Sequence, residues 1–434
     1  MKSYDVIIIG AGAAGLMCAM AAGARGRRVL LVDHAKSVGE KIRISGGGRC
    51  NFTNIHTGPK NFISNNPHFC VSALKRFTPQ DFISLVKKHN IAFHEKTLGQ
   101  LFCDFSSKEI IEMLLKECAE VGVEILTEAK VEGIGYPHLK SSPARDEGVL
   151  PSFDQIPLPS WDQLPRPLRE RVGVRGEFTI KLENKSELTC ESLVIATGGP
   201  SIPKMGATAF GYEIARQFKL KIIQPRPALV PLAFDEKLLN KTKILSGVAL
   251  DAIVTCGKIK FSEAILFTHR GISGPAILQI SSYWQNGEKI TINFAPKTEV
   301  FSWLQEEKKN KPQGINKQEI QNILTQILPK SFVNFLLEEV GHWGFLADMS
   351  NQKLKEIADF VNCWSVVPSG TEGFAKAEVT SGGVDVDQIS SKTFEAKSVS
   401  GLFFIGEVLD VTGWLGGYNF QWAWASGKAA GEYV

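Results

Sequence analysis

The sequence predicts an α/β protein in which a doubly wound parallel sheet is interrupted by two smaller inserted units. Three observations support this fold class: a strand–turn–helix–strand order near the first residues, a β-rich middle, and a helical stretch after which strand patterning returns. Strands that alternate with helices are typical of a parallel sheet covered by helices on both faces. The 434 residues are enough for two or three domains.

The first predicted unit spans residues 1–222 and is completed by residues 369–434. The stretch YDVIII (residues 4–9) predicts a buried strand, and the glycine turn after it leads into an alanine-rich helix that ends near Ala24. Residues 29–32 (VLLV) predict a second buried strand. This order predicts the first strand–helix–strand part of the parallel sheet.

The same unit continues with helices predicted over residues 79–89 and 108–121, followed by a strand in VEILTEA. Prolines then recur among serines and charges over residues 136–175, which predicts a long surface loop or insertion. The strand-like stretches EFTIKLEN and SLVIATGG return the chain to the first unit.

The two inserted units differ in their pattern. Residues 223–297 carry short alternating apolar runs separated by turn residues, such as VALDAIVTC and KIKFSEAILF, which predict an inserted antiparallel β-barrel domain. Residues 298–368 predict a small helical domain that contains the charged linker EEKKNKPQG. After this domain, KAEVTSGGV and LFFIGEVLDVTG predict strands that close the first unit.

Composition limits the compartment and the partners. The net charge of +4 permits an anionic substrate but lacks the strong basic excess of a dedicated nucleic-acid binder. Eight scattered cysteines without a C-x-x-C pair predict reduced thiols in a cytoplasm and no metal site. The uncharged stretch at residues 6–24 has the length of a membrane span. Because it is rich in Gly and Ala and lacks a basic start, we predict neither a signal peptide nor a membrane segment.

The first chemical motif is Gly10-Ala11-Gly12-Ala13-Ala14-Gly15. Its glycines allow a tight strand-to-helix turn, close approach of the backbone to a pyrophosphate, and close packing of helix on strand. The N-terminus of the following helix offers unpaired N–H groups to the anion. Asp33 ends the second strand, where an acid hydrogen-bonds ribose hydroxyls. Together these features predict a dinucleotide site rather than a plain glycine-rich turn.

Two later stretches distinguish FAD from NAD. LVIATGG (residues 193–199) and LFFIGEVLD (residues 402–410) resemble the second and third signatures of the two-dinucleotide-binding-domain flavoproteins. In that superfamily the A-T-G turn passes near the cofactor, and a late G-D segment approaches the ribityl chain and the pyrophosphate. Here the late segment has Glu407 after Gly406, and Asp410 is an alternative contact. Because no second G-x-G-x-x-G occurs, NADPH or NADH is expected to visit the flavin only transiently.

Four long motifs carry a family resemblance. SGGGRCNFTN, FTHRGISGPAILQIS, AEVTSGGV and TGWLGGYNFQWAWASG together resemble the BaiN-like, or YhiN-like, flavoprotein family, also called aminoacetone-oxidase-like FAD-binding enzymes. The resemblance covers nearly the whole chain. It implies an FAD-binding domain interrupted by a β-barrel domain and a helical domain. The chain departs from the family at residues 99–103, where GQLFC replaces the usual GRVFP, and in its longer proline-rich stretch.

The resemblance also implies a reaction type, the flavin-mediated reduction of an activated C=C bond. Two substrates are open: a uridine in ribosomal RNA, which would give dihydrouridine, or a small molecule such as a steroid enone or an amine. A third hypothesis is an FAD-binding protein without turnover. The oligomeric state is not predicted.

Reduction of a C=C bond needs a positioned acid next to the flavin. We predict Cys50 as this acid because it follows three glycines in the stretch expected to lie against the cofactor, and Cys103 is a second candidate. The alternative is that Cys50 packs there only as a small apolar residue. Arg49 is expected to pair with a phosphate or to form a surface salt bridge. His269 and Arg270 could face the substrate or be structural.

The expected FAD contacts extend beyond the motifs quoted above. They are Gly10, Gly12, Ala13, Ala14, Gly15, Asp33, His34, Lys41, Ser45, Gly46, Gly47, Arg49, Cys50, Asn51, Val131, Ala196, Thr197, Gly198, Gly199, Gly406, Glu407, Asp410, Gly417, Tyr418 and Asn419.

Overall fold

The computed structural model describes residues 2–136, 177–310 and 318–434. The predicted proline-rich stretch at 136–175 lies outside these ranges except for Tyr136, and part of the linker EEKKNKPQG does too.

The strands are, in chain order, β1 (Lys2–Ile9), β2 (Val29–Val32), β3 (Asn51–Asn54), β4 (Phe62–Ile63), β5 (Phe93–Glu95), β6 (Gln100–Cys103), β7 (Glu124–Leu126), β8 (Val131–Gly135), β9 (Phe178–Leu182), β10 (Glu187–Ile195), β11 (Ile222–Ala228), β12 (Leu232–Ala233), β13 (Ala249–Cys256), β14 (Ile259–Thr268), β15 (Gly271–Ser273), β16 (Ile290–Asn293), β17 (Trp364–Val366), β18 (Gly370–Thr371), β19 (Val379–Val384), β20 (Leu402–Phe404) and β21 (Thr412–Gly413).

The α-helices in the same described ranges are α1 (Ala13–Gly23), α2 (Glu40–Gly48), α3 (Val71–Arg76), α4 (Pro79–Lys88), α5 (Lys108–Glu120), α6 (Phe210–Gln217), α7 (Glu236–Thr242), α8 (Pro275–Ser281), α9 (Val300–Asn310), α10 (Ile320–Leu324), α11 (Lys330–Val340), α12 (Asn351–Cys363) and α13 (Tyr418–Gly431).

The first sheet confirms the predicted doubly wound parallel core. Among the described residues its strand order is β7-β2-β1-β10-β9-β8, and β20 also pairs with β10. The pairs formed by β1 with β2 and β10 are parallel, as are those of β2 with β7 and of β10 with β20. The last four residues of β1 (VIII) and all of β2 (VLLV) are continuous apolar runs, as expected for a parallel sheet that is buried on both faces. Val6, Ile7 and Ile8 have no exposed surface.

The second sheet is antiparallel, with the order β17-β16-β13-β14-β15-β12-β18 in the described part of the chain. Its alternating strands and helices α8 to α12 enclose a second hydrophobic core. The sheet extends past the predicted limit at residue 297, because β17 and β18 follow the helical residues and still pair within it. The chain therefore returns to the first unit after Thr371.

The two units are joined by paired strands and by a shared aromatic residue. Strand β11 leaves the first unit and pairs antiparallel with β19, which returns to it. Trp414 packs against the cores of both units, and its indole N–H donates to the Tyr283 hydroxyl at 2.7 Å. These contacts hold one face of the second unit against the residues that precede α13.

No helix in the described ranges is long and apolar enough to cross a membrane. The uncharged stretch at residues 6–24 is instead divided between strand β1, a glycine turn and the eleven-residue helix α1.

Candidate cofactor-binding and active site

A cavity of about 670 Å³ lies at the carboxyl ends of β1, β2 and β10, where the second unit meets the first. Ligands of open α/β sheets bind at this edge, outside the carboxyl ends of the strands. One end of the cavity is lined by the turn between β1 and α1. The other end is lined by Leu229, Glu263 and Pro275, by Glu378 and Val379 where β19 begins, and by Trp414, Leu415 and Gly416 in the segment before α13.

The glycine turn leaves room for a ligand at one of its three glycines. Gly10 has φ 111°, and a Cβ there would lie 2.5 Å from the Ala196 carbonyl oxygen. A Cβ on Gly15 would lie 1.9 Å from the Gly10 carbonyl oxygen. Gly12, by contrast, lines the cavity, and among the described residues no atom beyond its own chain neighbours lies within 4 Å of its Cβ position. Gly10 and Gly15 therefore serve the packing of the turn, and Gly12 fits the close approach of a pyrophosphate.

Asp33 and His34 lie beside this turn and line the cavity. The Asp33 carboxylate accepts the Ala11 N–H at 2.6 Å and the Ala35 N–H at 2.8 Å. Since a carboxylate offers about four acceptor positions, ribose hydroxyls can still bind. His34 Nε2 donates to the Gly206 carbonyl at 2.9 Å, which ties the end of β2 to the loop after β10. This end of the cavity fits an adenosine group.

A network of hydrogen bonds fixes Glu407 at the cavity wall. Lys41 Nζ lies 2.6 Å from the Ser201 hydroxyl and 2.7 Å from a Glu407 oxygen. The other Glu407 oxygen accepts from Ser201 at 3.0 Å and from the Thr380 N–H at 2.8 Å. Lys41 and Glu407 both line the cavity.

Asp410, the alternative to Glu407, does not line the cavity. It is buried and accepts the Asn65 N–H at 2.9 Å, and burial raises the pKa of its carboxyl. Of the two acids considered for the late G-D position, the structure brings only Glu407 to the cavity.

The triple-glycine stretch forms a broken helix end against the cavity. Helix α2 loses helical geometry at Ser45, Gly46 and Gly47, where both glycines have positive φ. These three residues line the cavity together with Asn51. Arg49 is exposed and lies outside the cavity lining. The backbone of this stretch thus faces the cavity, whereas the Arg49 charge does not.

The proposed role of Cys50 needs correction. With φ 49° at the entry to β3, Cys50 turns its side chain into the core, where it has no exposed surface. It does not line the cavity, and burial raises the pKa of its thiol. Cys103 is buried as well, and its thiol pKa is raised to about 12 by burial. Neither thiol lines the cavity, so neither is placed to donate a proton to a substrate bound there.

We expect Cys50→Ala to retain both FAD and turnover. The substitution removes one buried heavy atom, which should lower the free energy of unfolding by about 1 kcal/mol. Flavin absorbance and the rate of flavin reoxidation by substrate check this expectation. If the variant kept FAD but lost reoxidation by substrate, the thiol would be the acid after all.

Several other predicted contacts lie outside the cavity lining. Val131 begins β8, Gly199 packs against Thr380, and Tyr418 is buried against Phe62 and Trp414. His269 and Arg270 are exposed in the turn between β14 and β15, and Arg270 lies 3.7 Å from Glu372. The residues of the expected set that the cavity does bring together are Gly10, Gly12, Ala13, Ala14, Asp33, His34, Lys41, Ser45, Gly46, Gly47, Asn51, Ala196, Thr197, Gly198, Gly406, Glu407, Gly417 and Asn419.

The start of α13 closes the cavity. Gly417 caps the helix with φ 95°, and Asn419 holds the turn by accepting the Gly413 N–H and donating to the Gly413 carbonyl, both at 2.8 Å. The first N–H groups of a helix carry a partial positive charge. Further along α13, Trp422 and Trp424 are fully buried in the first core, so they do not contact a ligand.

Sequence patterns alone did not identify the second unit's residues in the cavity wall. One of them, Glu263, carries a recognisable signal. In β14 the residues Phe261, Glu263 and Ile265 alternate and so share one face of the strand. A carboxylate between two buried apolar side chains is uncommon, because burying an unpaired charge is costly. The remaining wall residues, such as Leu229 and Glu378, depend on how the two units meet and leave no such signal.

Comparison with known proteins identifies several similar chains. A family model described as the HI0933-like protein Rossmann domain matches residues 4–144 and 169–433. The chain is 46% identical over 439 residues to a ribosomal RNA dihydrouridine synthase of Escherichia coli, which covers 100% of this chain and 98% of the relative. It is 45% identical to the enzyme of the same name from Haemophilus influenzae, over 99% of this chain and 98% of the relative.

A more distant relative is named for a different activity. The chain is 26% identical to a 3-dehydro-bile acid delta(4,6)-reductase of Clostridium scindens, over 98% of this chain and 97% of the relative.

Proposed function

This chain belongs to the HI0933-like family of FAD-binding oxidoreductases, and from this premise we propose that it is an FAD-dependent ribosomal RNA dihydrouridine synthase. The observation that carries the proposal is the 46% identity that spans the whole chain and nearly the whole Escherichia coli relative. The cavity supports it, because the residues that line it fit FAD along its length. The proposed place of action is the cytoplasm, where ribosomal RNA is made.

The proposed contacts with FAD follow the cavity from one end to the other. The turn at Gly12 would hold the pyrophosphate, and Asp33 with His34 would hold the adenosine. The ribityl hydroxyls would donate to Glu407, whose position is set by Lys41. The far end would then receive the isoalloxazine ring. When bound, the flavin supplies the hydride that reduces a C=C bond.

The far end of the cavity is also where the substrate would enter. We propose that the inserted β-barrel domain (223–297) and the helical domain (298–368) form a substrate-facing unit, from which Glu263 and Pro275 reach the cavity. Phe102, Trp414 and Phe420 also line it. Proteins stack unpaired RNA bases on aromatic side chains of this kind. Exposed Lys96 lies at the cavity wall and could neutralise a phosphate beside the base.

The reductant is proposed to be NADPH or NADH, which would visit the flavin without a dedicated domain. The test is anaerobic. The flavin of the purified protein is first reduced with NADPH or NADH, which bleaches its visible absorbance. Ribosomal RNA that lacks dihydrouridine is then added. We expect the RNA to restore the oxidised flavin absorbance and RNA that already carries the modification not to do so. If neither NADPH nor NADH bleaches the flavin, the result would instead favour an FAD-binding protein without turnover.

A small-molecule reductase is the second candidate, and the similarity to the bile-acid reductase supports it. The names of both relatives are compatible with reduction of an activated C=C bond, which is the reaction type we propose in either case. The lower identity of 26% makes the steroid substrate the weaker choice. Restoration of flavin absorbance by a steroid enone, but not by RNA, would reverse this order.

A further inference from the structure

An acidic side chain of the second unit reaches the far end of the cavity from an otherwise apolar strand face. Glu263 lies on β14 between Phe261 and Ile265, which are buried on the same face. Glu263 lines the cavity together with Leu415 and Gly416 of the first unit. This side chain is therefore placed beside whatever occupies the far end of the cavity.

A buried amide fixes the orientation of this carboxyl. Gln279, which is 5% exposed, accepts the Leu415 N–H at its side-chain oxygen at 3.0 Å. Its amide nitrogen must then point the other way, and it lies 3.3 Å from Oε1 of Glu263. In the described part of the chain Oε2 of Glu263 has no hydrogen-bond partner. Gln279 thus couples the loop before α13 to Glu263 and leaves one carboxyl oxygen free for a ligand.

The surroundings of Glu263 raise the pKa of its carboxyl. Burial raises the pKa of the Glu263 carboxyl, and the hydrogen bond from Gln279 lowers it by a smaller amount. Tyr418 on α13 faces the carboxyl, and burial and the Glu263 charge raise the pKa of that phenol. Tyr283 packs on Phe261 from beyond α8, with its own pKa raised by burial. Glu378 lines the same cavity, and burial raises its pKa too. Tyr418, Tyr283 and Glu378 carry no positive charge. The cations among the described residues that line the same cavity are Lys41, which is paired with Glu407, and the exposed Lys96.

We propose that Glu263 is the proton donor of the reduction and that Gln279 is its positioning residue. The proposal rests on the proposed function and names the acid that Cys50 does not supply. The C5=C6 π bond of the uracil ring breaks, C6 receives a hydride from the reduced flavin, and C5 receives the Glu263 carboxyl proton. Bound FAD would supply that hydride, and NADPH or NADH would supply the two electrons needed to reduce it again. The Glu263 carboxylate then regains its proton from water, so that atoms and electrons balance.

Glu378 is the competing acid in the same cavity. No hydrogen bond to its carboxyl orients it in the described residues, whereas Glu263 is held by Gln279. Tyr418 does not line the cavity. Geometry therefore favours Glu263.

The first test compares variants in two separate half-reactions. For Glu263→Gln we expect the rate of flavin reduction by NADPH or NADH to be unchanged. The rate of flavin reoxidation by unmodified ribosomal RNA should fall about 100- to 10,000-fold, which is the usual effect of losing a general acid. Asp251→Asn is the matched control, because Asp251 is exposed on the neighbouring strand β13 opposite Ala264. It should leave both half-reactions unchanged.

The pH profile distinguishes an acid from a merely structural residue. Since the protonated form is required, reoxidation should slow as the pH rises through the Glu263 pKa. Because burial raises this pKa, the rate should decrease at a pH above the ordinary pKa of Glu, which is about 4.3. Glu263→Gln should abolish the decline. Gln279→Leu removes a hydrogen bond to the charged form and should move the decline to higher pH.

A readout independent of substrate is the infrared band of the protonated carboxyl. Difference spectra between mildly acidic and alkaline pH should contain a carboxyl band that is absent from Glu263→Gln and present in Asp251→Asn. Full reoxidation by Glu263→Gln with an unchanged pH profile would overturn the proposal. If Glu378→Gln, and not Glu263→Gln, abolished the decrease of the reoxidation rate with pH, Glu378 would be the proton donor and the proposal would be overturned. If ribosomal RNA does not reoxidise the flavin of the wild-type protein, the proposed function is wrong. Proton donation from Glu263 to uracil is then wrong too, even if the infrared band is found.

Discussion

Replacing Gly12 with valine should abolish FAD binding and leave the fold intact. Among the described residues no atom beyond its own chain neighbours lies within 4 Å of the Gly12 Cβ position, and the residue lines the cavity. A valine side chain would therefore occupy the space that a pyrophosphate needs, and its Cβ would meet no neighbouring element of the fold. We expect affinity for FAD to fall at least about 100-fold, or about 2.7 kcal/mol. Visible absorbance of the purified protein measures bound flavin, and circular dichroism measures the fold.

Two other glycines control this experiment. In the described part of the chain, Gly133 in β8 likewise has no atom beyond its chain neighbours within 4 Å of its Cβ position but lies outside the cavity lining, so Gly133→Val should keep both fold and flavin. Gly15→Val should fail to fold, because its Cβ would lie 1.9 Å from the Gly10 carbonyl oxygen. A Gly12→Val protein that binds FAD as tightly as wild type would show that the pyrophosphate does not lie at this turn.

Trp422→Ala should cause a large loss of stability. Trp422 is 1% exposed, packs against Phe62, Phe69 and Phe394, and donates its indole N–H to the Gly406 carbonyl at 3.1 Å. Removing a buried tryptophan costs about 3–5 kcal/mol, a large share of the 5–15 kcal/mol that is typical of folded proteins. Because Gly406 lines the cavity, FAD affinity should fall as well. Denaturant titration of the protein with and without FAD measures both effects.

The matched control for this variant is Trp343→Ala. Trp343 is 54% exposed, and substitution of such a surface residue should change the free energy of unfolding by no more than about 0.5 kcal/mol. Equal losses in the two variants would contradict the assignment of Trp422 to the core beneath the cavity.

The parallel core was predictable from sequence because its signals are local. The runs at β1 and β2 are continuous and apolar, the glycine turn stands between β1 and α1, and Asp33 follows β2 directly. Each of these features is set by residues close together in the chain. The strand–helix–strand order at the start of the chain could therefore be predicted before any contact was known.

The second unit and its part of the cavity were less predictable. Strands β17 and β18 are short and lie beyond the helical residues, so that only their pairing with β16 and β12 places them in the sheet. The direction of the Cys50 side chain depends on a positive φ at a non-glycine residue, which the sequence does not signal. Glu263 could have been found from its alternation with apolar neighbours. Its partner Gln279 depends on a contact with Leu415 across the two units.

The most direct measurement of the proposed function is the dihydrouridine content of ribosomal RNA. An Escherichia coli strain that lacks its 46% identical relative would express this chain, and mass spectrometry of digested ribosomal RNA would quantify the modified nucleoside. We predict that wild-type protein restores dihydrouridine and that Gly12→Val, at equal expression, does not. Ribosomal RNA without dihydrouridine in cells that contain the flavin-loaded wild-type protein would contradict the proposed function.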